Sequence, residues 1–210
     1  MKNKTLSISR KIHSLILILF CLTAGQLYSQ STNPAVEPGK AAGTVKIGAP
    51  VSDAIAFCGK PQMVKSKEAE DRDWRSGGYN PDKEFVFQLM WDSVYVFESE
   101  NNKYAIWKVY TVKGKIVLMN LAFYSASKES IDGTKTTGNI GFGAKPEEVT
   151  GIFGLADITL GENKVREDSK DLFYGKKGIA FLIDSEGLSN MLVFKKLNKK
   201  AIKKINKKLK

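Results

Sequence analysis

This 210-residue chain has very few histidines and cysteines, the side chains on which many catalytic and metal sites depend. Its only histidine is His13, and its two cysteines are Cys21 and Cys58. His13 and Cys21 lie in an N-terminal segment that we expect to be cleaved. The remaining chain then has no residues from which to build a zinc site, a Ser-His-Asp triad or a Cys-His pair. We therefore expect a non-catalytic protein that uses no metal and no other cofactor.

Carboxylates are the remaining candidates for acid-base chemistry. Asp71, Asp73 and Asp82 lie close together, but no histidine, nucleophile or metal cluster accompanies them. Carboxylates without such partners do not complete a catalytic site, so we interpret this segment as a solvated loop. Gly77-Gly78 and Gly141-Phe142-Gly143 lack the strand and the lysine of a phosphate-binding loop, which indicates turns.

Cys58 has two interpretations. It ends the apolar stripe of a short predicted helix, where a small buried hydrophobe is the usual role of cysteine. The alternative is a reactive thiol. Once Cys21 is removed, Cys58 has no second cysteine with which to form a disulfide in the chain, so we expect the fold to depend on packing alone.

The loop that we predict from Lys65 to Asp82 contains residue types that dominate protein-binding sites. Trp74, Arg75 and Tyr79 lie in it, in a stretch without strand or helix periodicity. Tryptophan, tyrosine and arginine contribute most of the binding energy in many interfaces. One hypothesis makes these three residues a protein-binding surface. The alternative is that Trp74 folds back to cover a sheet.

The positive charge of the chain is concentrated at its two ends. The formal net charge is +11, from 33 basic and 22 acidic residues. Residues 1–29 hold four of the bases and residues 195–210 hold nine, with no acid in either segment. The middle of the chain is left with 20 bases against 22 acids. The globular part is therefore close to neutral, and its 42% overall hydrophobic content suits a buried core.

The C-terminal segment 195–210 combines lysines with an apolar residue at every fourth position. A helix would gather Leu197, Ala201, Ile205 and Leu209 into a stripe surrounded by lysines. Such a helix suits an anionic surface, because each nearby lysine contributes about 1 kcal/mol and the stripe inserts shallowly between head groups. The residues we predict to contact that surface are Lys199, Lys200, Lys203, Lys204, Lys207 and Lys208.

Two other interpretations of this segment stay open. It is either a tail solvated by its own charge or a last helix packed on the second half of the protein. In an exported protein the available polyanions are phospholipid, lipopolysaccharide phosphate and acidic wall polymers. Nucleic acid is largely absent from that compartment, so we expect no nucleic-acid partner.

The first 29 residues have the pattern of a secretory signal peptide. Four basic residues precede the apolar run Leu15–Leu22, which the small residues Thr23, Ala24 and Gly25 and then Leu27-Tyr28-Ser29 follow. The run is far shorter than the roughly 20 residues that cross a bilayer, so we expect cleavage after Ser29 or after Gly25, and no membrane span in the mature chain. Lipidation of Cys21 is a weaker alternative because the bulky Phe20 precedes it. The predicted location is the periplasm, the outer-membrane periphery or the exterior.

The mature chain shows a diverged internal repeat. Gly48–Gly59 and Gly143–Gly154 align without gaps at an offset of 95 residues. Helical spacing places Val51, Ala54, Ile55 and Cys58 on one face of the first segment, and Val149, Ile152 and Phe153 repeat it in the second. Gly59 and Gly154 suit a left-handed helix stop.

Strand-like segments follow each predicted helix. In the first half these are 85–91, 104–112 and 116–124, and in the second half 171–174, 179–183 and 188–194. Lys113-Gly114-Lys115 predicts a hairpin between two of them. Trp91 and Trp107 lie within these segments, which favours a core position for both.

The two glycine-bounded segments resemble the signature of the SmpA/OmlA (BamE) envelope proteins, in which a glycine, a helix with a valine and a Gly-x-Pro follow one another. Gly143, Val149 and Gly154 carry it in one half, and Gly48–Gly59 followed by Lys60-Pro61 carries it in the other. The pattern is also similar to the tandem fold of the β-lactamase inhibitor protein. The resemblance implies a short helical layer packed on a small antiparallel sheet in each repeat. It also implies binding of other proteins, in envelope assembly or enzyme inhibition.

The expected fold class is therefore α+β with two tandem repeats. The predicted organisation is a signal peptide (1–29), a flexible lead-in (30–44), repeat one (45–124), a linker (125–138), repeat two (139–194) and a lysine-rich amphipathic tail (195–210). We expect a non-catalytic binding module of the bacterial envelope whose partners are envelope proteins or an anionic membrane surface. The alternative is a secreted or periplasmic inhibitor of another enzyme.

Overall fold

The computed structural model describes residues 35–99, 102–123, 135–161 and 169–209. They belong to a compact unit that spans Asn33–Lys210. The predicted signal peptide with Cys21, most of the predicted linker, and Tyr124 at the end of a predicted strand lie outside the described residues. The cleavage and lipidation alternatives therefore stay predictions.

Strands outnumber helices among the described residues. The strands are β1 (Val36–Glu37), β2 (Ala41–Ala42), β3 (Val45–Lys46), β4 (Met63–Ser66), β5 (Ser93–Ser99), β6 (Asn102–Val112), β7 (Lys115–Phe123), β8 (Ile158–Leu160), β9 (Lys170–Tyr174), β10 (Ile179–Asp184) and β11 (Gly187–Phe194). The helices are α1 (Val51–Cys58), α2 (Lys67–Ser76), α3 (Phe85–Gln88), α4 (Pro146–Phe153) and α5 (Lys199–Leu209), with a 3-10 turn at Pro81–Lys83.

Eight of the described strands form one antiparallel sheet in the order β4-β5-β6-β7-β11-β10-β9-β8. The α+β fold class is confirmed. We expected one small sheet in each half, but β7 and β11 pair from Leu118 to Ala122 against Asn190 to Phe194. Pairing these strands satisfies backbone groups that two separate sheets would leave at open edges. A helix precedes four antiparallel strands in each half, but in the first half α2, the 3-10 turn and α3 lie between β4 and β5. The descent of the halves from a repeat stays a prediction.

Both faces of this sheet are covered. On one face, α1, α4 and the β1–β3 ribbon contribute Ala54, Val149 and Val36 to a core with inward residues of the strands. On the other face, α3 and α5 contribute Phe85 and Ile205 to a second core, and α2 adds a half-buried residue. Adjacent strand residues alternate between the two cores, as the period of a strand requires.

Several local predictions agree with the structure. Lys113 and Gly114 turn between β6 and β7 with φ of 50° and 73°, as the predicted hairpin requires. Both glycines that follow the predicted helices have positive φ, 86° at Gly59 and 77° at Gly154, but their ψ of −164° and −161° differs from that of the expected left-handed stop and suits glycine alone. The three strands predicted in the second half are β9, β10 and β11. Ile55, expected on the buried face of α1, is instead 38% exposed, because the short helix turns Ala54 towards the core.

Two predicted segments of the first half have a different structure, and β4 and β5 form where no strand was predicted. The apolar run 85–91 is not a strand, because it begins with α3 and Phe85, Val86 and Phe87 are all buried against other elements. The predicted loop 65–82 contains α2, which Ser66 caps by accepting a hydrogen bond from the Ala69 amide at 3.3 Å. A short apolar run does not distinguish a strand from a buried helix, which accounts for the first difference.

The predicted flexible lead-in also differs, because residues 36–42 form β1 and β2 of the ribbon. Val36 and Ala42 are buried in the core, and the Val36 amide donates to the Lys135 carbonyl at 2.8 Å. The Gly39 amide donates to the Gly178 carbonyl at 3.1 Å. Apolar anchors and backbone hydrogen bonds therefore order a segment whose composition suggested a linker.

Gly178→Ala should destabilise the protein more than Gly114→Ala does. Both glycines have positive φ, which costs about 1–2 kcal/mol for any other residue. A Cβ on Gly114 meets nothing, whereas one on Gly178 overlaps the Phe194 carbonyl oxygen and the Gly39 backbone. Overlap of that kind adds about 1–3 kcal/mol. Urea unfolding of both variants measures the difference, and equal losses would show that the ribbon is not held as described.

Candidate functional site

The lysine-rich tail is a helix packed on the protein. Ile202, Ile205 and Leu209 of α5 are buried in the second core. Asn198 precedes the helix and accepts a hydrogen bond from the Ala201 amide at 2.9 Å, while Lys83 donates to the Leu209 carbonyl at 3.3 Å. The apolar stripe that we expected between lipid head groups therefore contacts protein, as in the packed-helix alternative. The helix packs against α3 and the 3-10 turn of the first half, and Ile202 lies beside Gly175 of the second half.

The outward half of α5 consists of lysines. All six predicted contact residues are exposed, and α5 contains no acidic residue. We call them the lysine face: Lys199, Lys200, Lys203, Lys204, Lys207 and Lys208. No ion pair among the described residues involves them. Their charges lie on one side of a helix that the second core holds in place, and no described carboxylate lies within ion-pair distance of them.

The three residues of the predicted protein-binding surface lie on or just after α2. The indole of Trp74 is half-buried between the rings of Phe87 and Tyr79, with ring centroids 5.3 and 5.6 Å away. The Arg75 guanidinium pairs with the carboxylates of Asp71 and Asp82. The side chain of Tyr79 is 39% exposed. The structure brings Trp74 and Tyr79 together, and the ring of Trp74 covers part of the second core.

A charged cluster beside Trp74 was not identified from the sequence. Glu70 is 2% exposed, and its carboxylate lies 2.8 Å from the Lys108 ammonium and 3.3 Å from that of Lys65. The Trp74 indole N–H donates to the same carboxylate at 3.2 Å. Burial by itself raises the pKa of Glu70, but the hydrogen bond and charge of Lys108, with the charge of Lys65, outweigh it and hold the pKa below its ordinary value.

The remaining chemical candidates have structural partners. Asp71 and Asp82 pair with Arg75 at 2.8 and 3.1 Å, and Asp73 pairs with Lys65 at 2.6 Å. Burial raises the pKa of the Cys58 thiol to about 12, so it stays protonated at neutral pH and packs as a small apolar residue. Within the described residues, no cluster of three His, Cys, Asp or Glu side chains is placed to hold a metal ion.

The edge of the sheet at β4 exposes apolar side chains. Met63 and Val64 are 47% and 54% exposed on this strand, which has one sheet neighbour among the described strands. Phe57 of α1 is 43% exposed and its ring lies 5.5 Å from that of Trp107, which is half-buried. Exposed apolar residues on an edge strand are typical of surfaces that dock another chain.

No protein-family profile matches the chain, and no curated protein sequence matches it. Among solved structures, a DUF4309 family protein from Bacillus subtilis is similar at 13% identity and a TM-score of 0.44, over 75% of this chain and 88% of that one. A cysteine-rich secretory protein from Staphylococcus aureus has 11% identity and a TM-score of 0.40, over 79% of this chain and 49% of that one. An extracellular SCP-domain protein from Bacillus anthracis has 10% identity and a TM-score of 0.40, over 84% and 56%.

This chain thus spans about half the length of the latter two proteins. Because the TM-scores of all three are below 0.5, these similarities support no conclusion about the function of this chain. The longest described helix, α5, has 11 residues, and no described helix combines the length and hydropathy that a membrane span requires.

Glu70→Gln should flatten the acid dependence of stability. Because the folded-state pKa of Glu70 is lowered from 4.5, its carboxylate stabilises the fold fully above that pH and loses the effect as the pH falls through the folded-state value. We expect a loss of about 1.5–3 kcal/mol at neutral pH and a smaller further loss on acidification than in the unchanged protein. Urea unfolding at neutral and at acidic pH measures the free energy of unfolding of each variant, with the exposed Glu186→Gln as control. Parallel pH profiles would contradict it.

Trp74→Ala distinguishes the two roles of Trp74. If the indole is a structural cover, its removal opens a gap beside Phe87 and takes a donor from Glu70, at a cost of about 2 kcal/mol or more. Trp74→Phe keeps most of the ring contacts and should cost less. Chemical unfolding measures both variants. A loss within about 0.5 kcal/mol for Trp74→Ala would instead favour the protein-binding hypothesis.

Proposed function

We propose that this protein is an exported, non-catalytic binding module that attaches to anionic lipid surfaces through the lysine face of α5. The observation that carries the proposal is that the apolar side of α5 is held by the second core while its lysines are exposed and unpaired among the described residues. A helix that is already formed loses little conformational entropy on binding. The electrostatic attraction between its lysines and an anionic surface is therefore offset by little loss of conformational entropy.

Charge magnitude and placement support the proposal. Each lysine near an anionic membrane contributes about 1 kcal/mol, so the lysine face supplies several kcal/mol at low salt. Residues 30–194 hold 20 bases against 22 acids, so the net positive charge of the mature chain comes from the segment that contains the lysine face. The signal-peptide pattern of residues 1–29 supports a location in the envelope or outside the cell, where phospholipid surfaces are available.

Charge reversal on the lysine face should abolish binding to anionic vesicles. The variant carries Lys199→Glu, Lys203→Glu and Lys207→Glu, which lie one turn apart on the exposed side of α5. The matched control carries Lys46→Glu, Lys60→Glu and Lys170→Glu, three exposed lysines elsewhere, and so has the same net charge. Truncation is unsuitable because it would uncover the second core. All chains lack residues 1–29, which leaves the compact unit Asn33–Lys210 intact.

The measurement is co-sedimentation with phosphatidylcholine vesicles that contain or lack phosphatidylglycerol, at low and high salt. We expect the unchanged protein and the control to bind the anionic vesicles at low salt and to be released by high salt, since charge interactions are screened. The lysine-face variant should bind at least about a hundredfold more weakly. Equal binding of the two triple variants would overturn the proposal, since only the placement of charge differs.

A protein-binding role, including inhibition of another enzyme, is the second candidate function. The exposed apolar residues Met63 and Val64 at the β4 edge favour it. The two faces of the large sheet do not favour a protein-binding role, because helices and the β1–β3 ribbon cover both of them. Membership of the SmpA/OmlA (BamE) group remains part of this proposal. A helix precedes four strands in each half, but the eight strands form one sheet instead of the two small sheets that the resemblance implies. If no protein in the experiment binds vesicles, the protein-binding role is the candidate function that remains.

A further inference from the structure

An open groove lies between α5 and the segment that follows α3. Its volume is about 410 Å³, which is within the usual range of small-molecule sites. Apolar side chains make up most of its lining, and Gln88 is the one uncharged polar residue in it. The apolar residues are Leu89, Met90, Val117, Phe194, Leu197, Ala201 and Ile205.

Positive charge surrounds this apolar lining. Lys195, Lys204 and Lys208 line the groove, and Lys204 and Lys208 also belong to the lysine face. Lys67 lies nearby, where its ammonium donates to the carbonyls of Phe87 and Leu89, each at 3.2 Å. Burial and the charge of Lys208 lower the pKa of Lys67 and outweigh the opposing charges of Asp71 and Glu68, which places Lys67 close to the lysine face.

An apolar groove with a cationic rim matches an amphiphile that has an apolar chain and an anionic head. We propose that the groove holds one acyl chain of an anionic phospholipid, while Lys195, Lys204 and Lys208 contact its phosphate. This inference rests on the proposed attachment to anionic lipid and adds a specific lipid site to it. A peptide is a poorer match, because the lining offers few groups to pair with its backbone amides.

The site predicts binding that depends on both chain length and head-group charge. Each methylene that enters the groove should tighten binding up to about fourfold. A surface held by charge alone would show no such dependence. Soluble lysophosphatidylglycerols with chains of increasing length, used below the concentration at which they form micelles, separate the two cases, with lysophosphatidylcholine as the zwitterionic probe.

Ala201→Trp tests the groove without removing a lysine. Ala201 is half-buried and lines the groove, so an indole at this position should fill it. The matched control is Ala56→Trp, at an exposed position of α1 on the other side of the sheet. A second variant, Met90→Glu, places an acid at a groove residue that is 82% exposed and leaves the core untouched.

Isothermal titration calorimetry with the lysophosphatidylglycerol series gives the readout. We expect Ala201→Trp to weaken binding at least about tenfold, Met90→Glu to weaken it for the anionic probe, and Ala56→Trp to leave it unchanged. Retention of full affinity in Ala201→Trp and Met90→Glu, or equal affinity for every chain length, would overturn the groove proposal.

Vesicle co-sedimentation of the same variants separates this proposal from the proposed function. Ala201→Trp keeps the lysine face, so it should still bind anionic vesicles at low salt. If it binds vesicles but no lysophospholipid, as expected, the groove and the surface attachment are distinct contributions. If the unchanged protein binds vesicles but no lysophospholipid, only the groove proposal fails. If it binds neither, both fail.

Discussion

The pairing of β7 with β11 is the constraint on which the rest of the structure depends. It places the second half of the chain beside the first within one sheet and so creates a continuous second face. Leu118 on β7 and Phe194 on β11 lie in the same core on that face, with α3 from the first half and α5 from the end of the chain. The lysine face is rigid because this joint surface holds the helix beneath it.

Signals that act over a few residues were sufficient for much of the fold. The glycines that end α1 and α4, the turn between β6 and β7, and the strands of the second half all follow from backbone sterics and side-chain type. The positions of the lysines on one half of α5 followed in the same way from helical spacing. Helical spacing did not show what the opposite stripe contacts, because a protein core and a lipid surface favour the same apolar stripe.

Features that depend on residues far apart in the chain could not be predicted from local sequence signals. Lys108 reaches Glu70 across 38 positions, and no local pattern relates the two. The run 85–91 is apolar enough for a strand, but the places beside β6 and β7 are taken by β5 and β11, so it packs over the sheet as α3. The groove beside α5 likewise exists only because two segments far apart in the chain meet over one sheet.

The separation of pairing partners along the chain also affects the rate of folding. Asn190 on β11 hydrogen-bonds Asn120 on β7 across 70 positions, and Val36 in the first ribbon strand pairs with the backbone of Lys135. Large loops must close before such contacts can form, so sheets of this kind fold in milliseconds to seconds, far slower than helical bundles. Slow folding leaves a newly made chain unfolded for longer, and an unfolded chain is the form that the proposed export through a narrow channel would need.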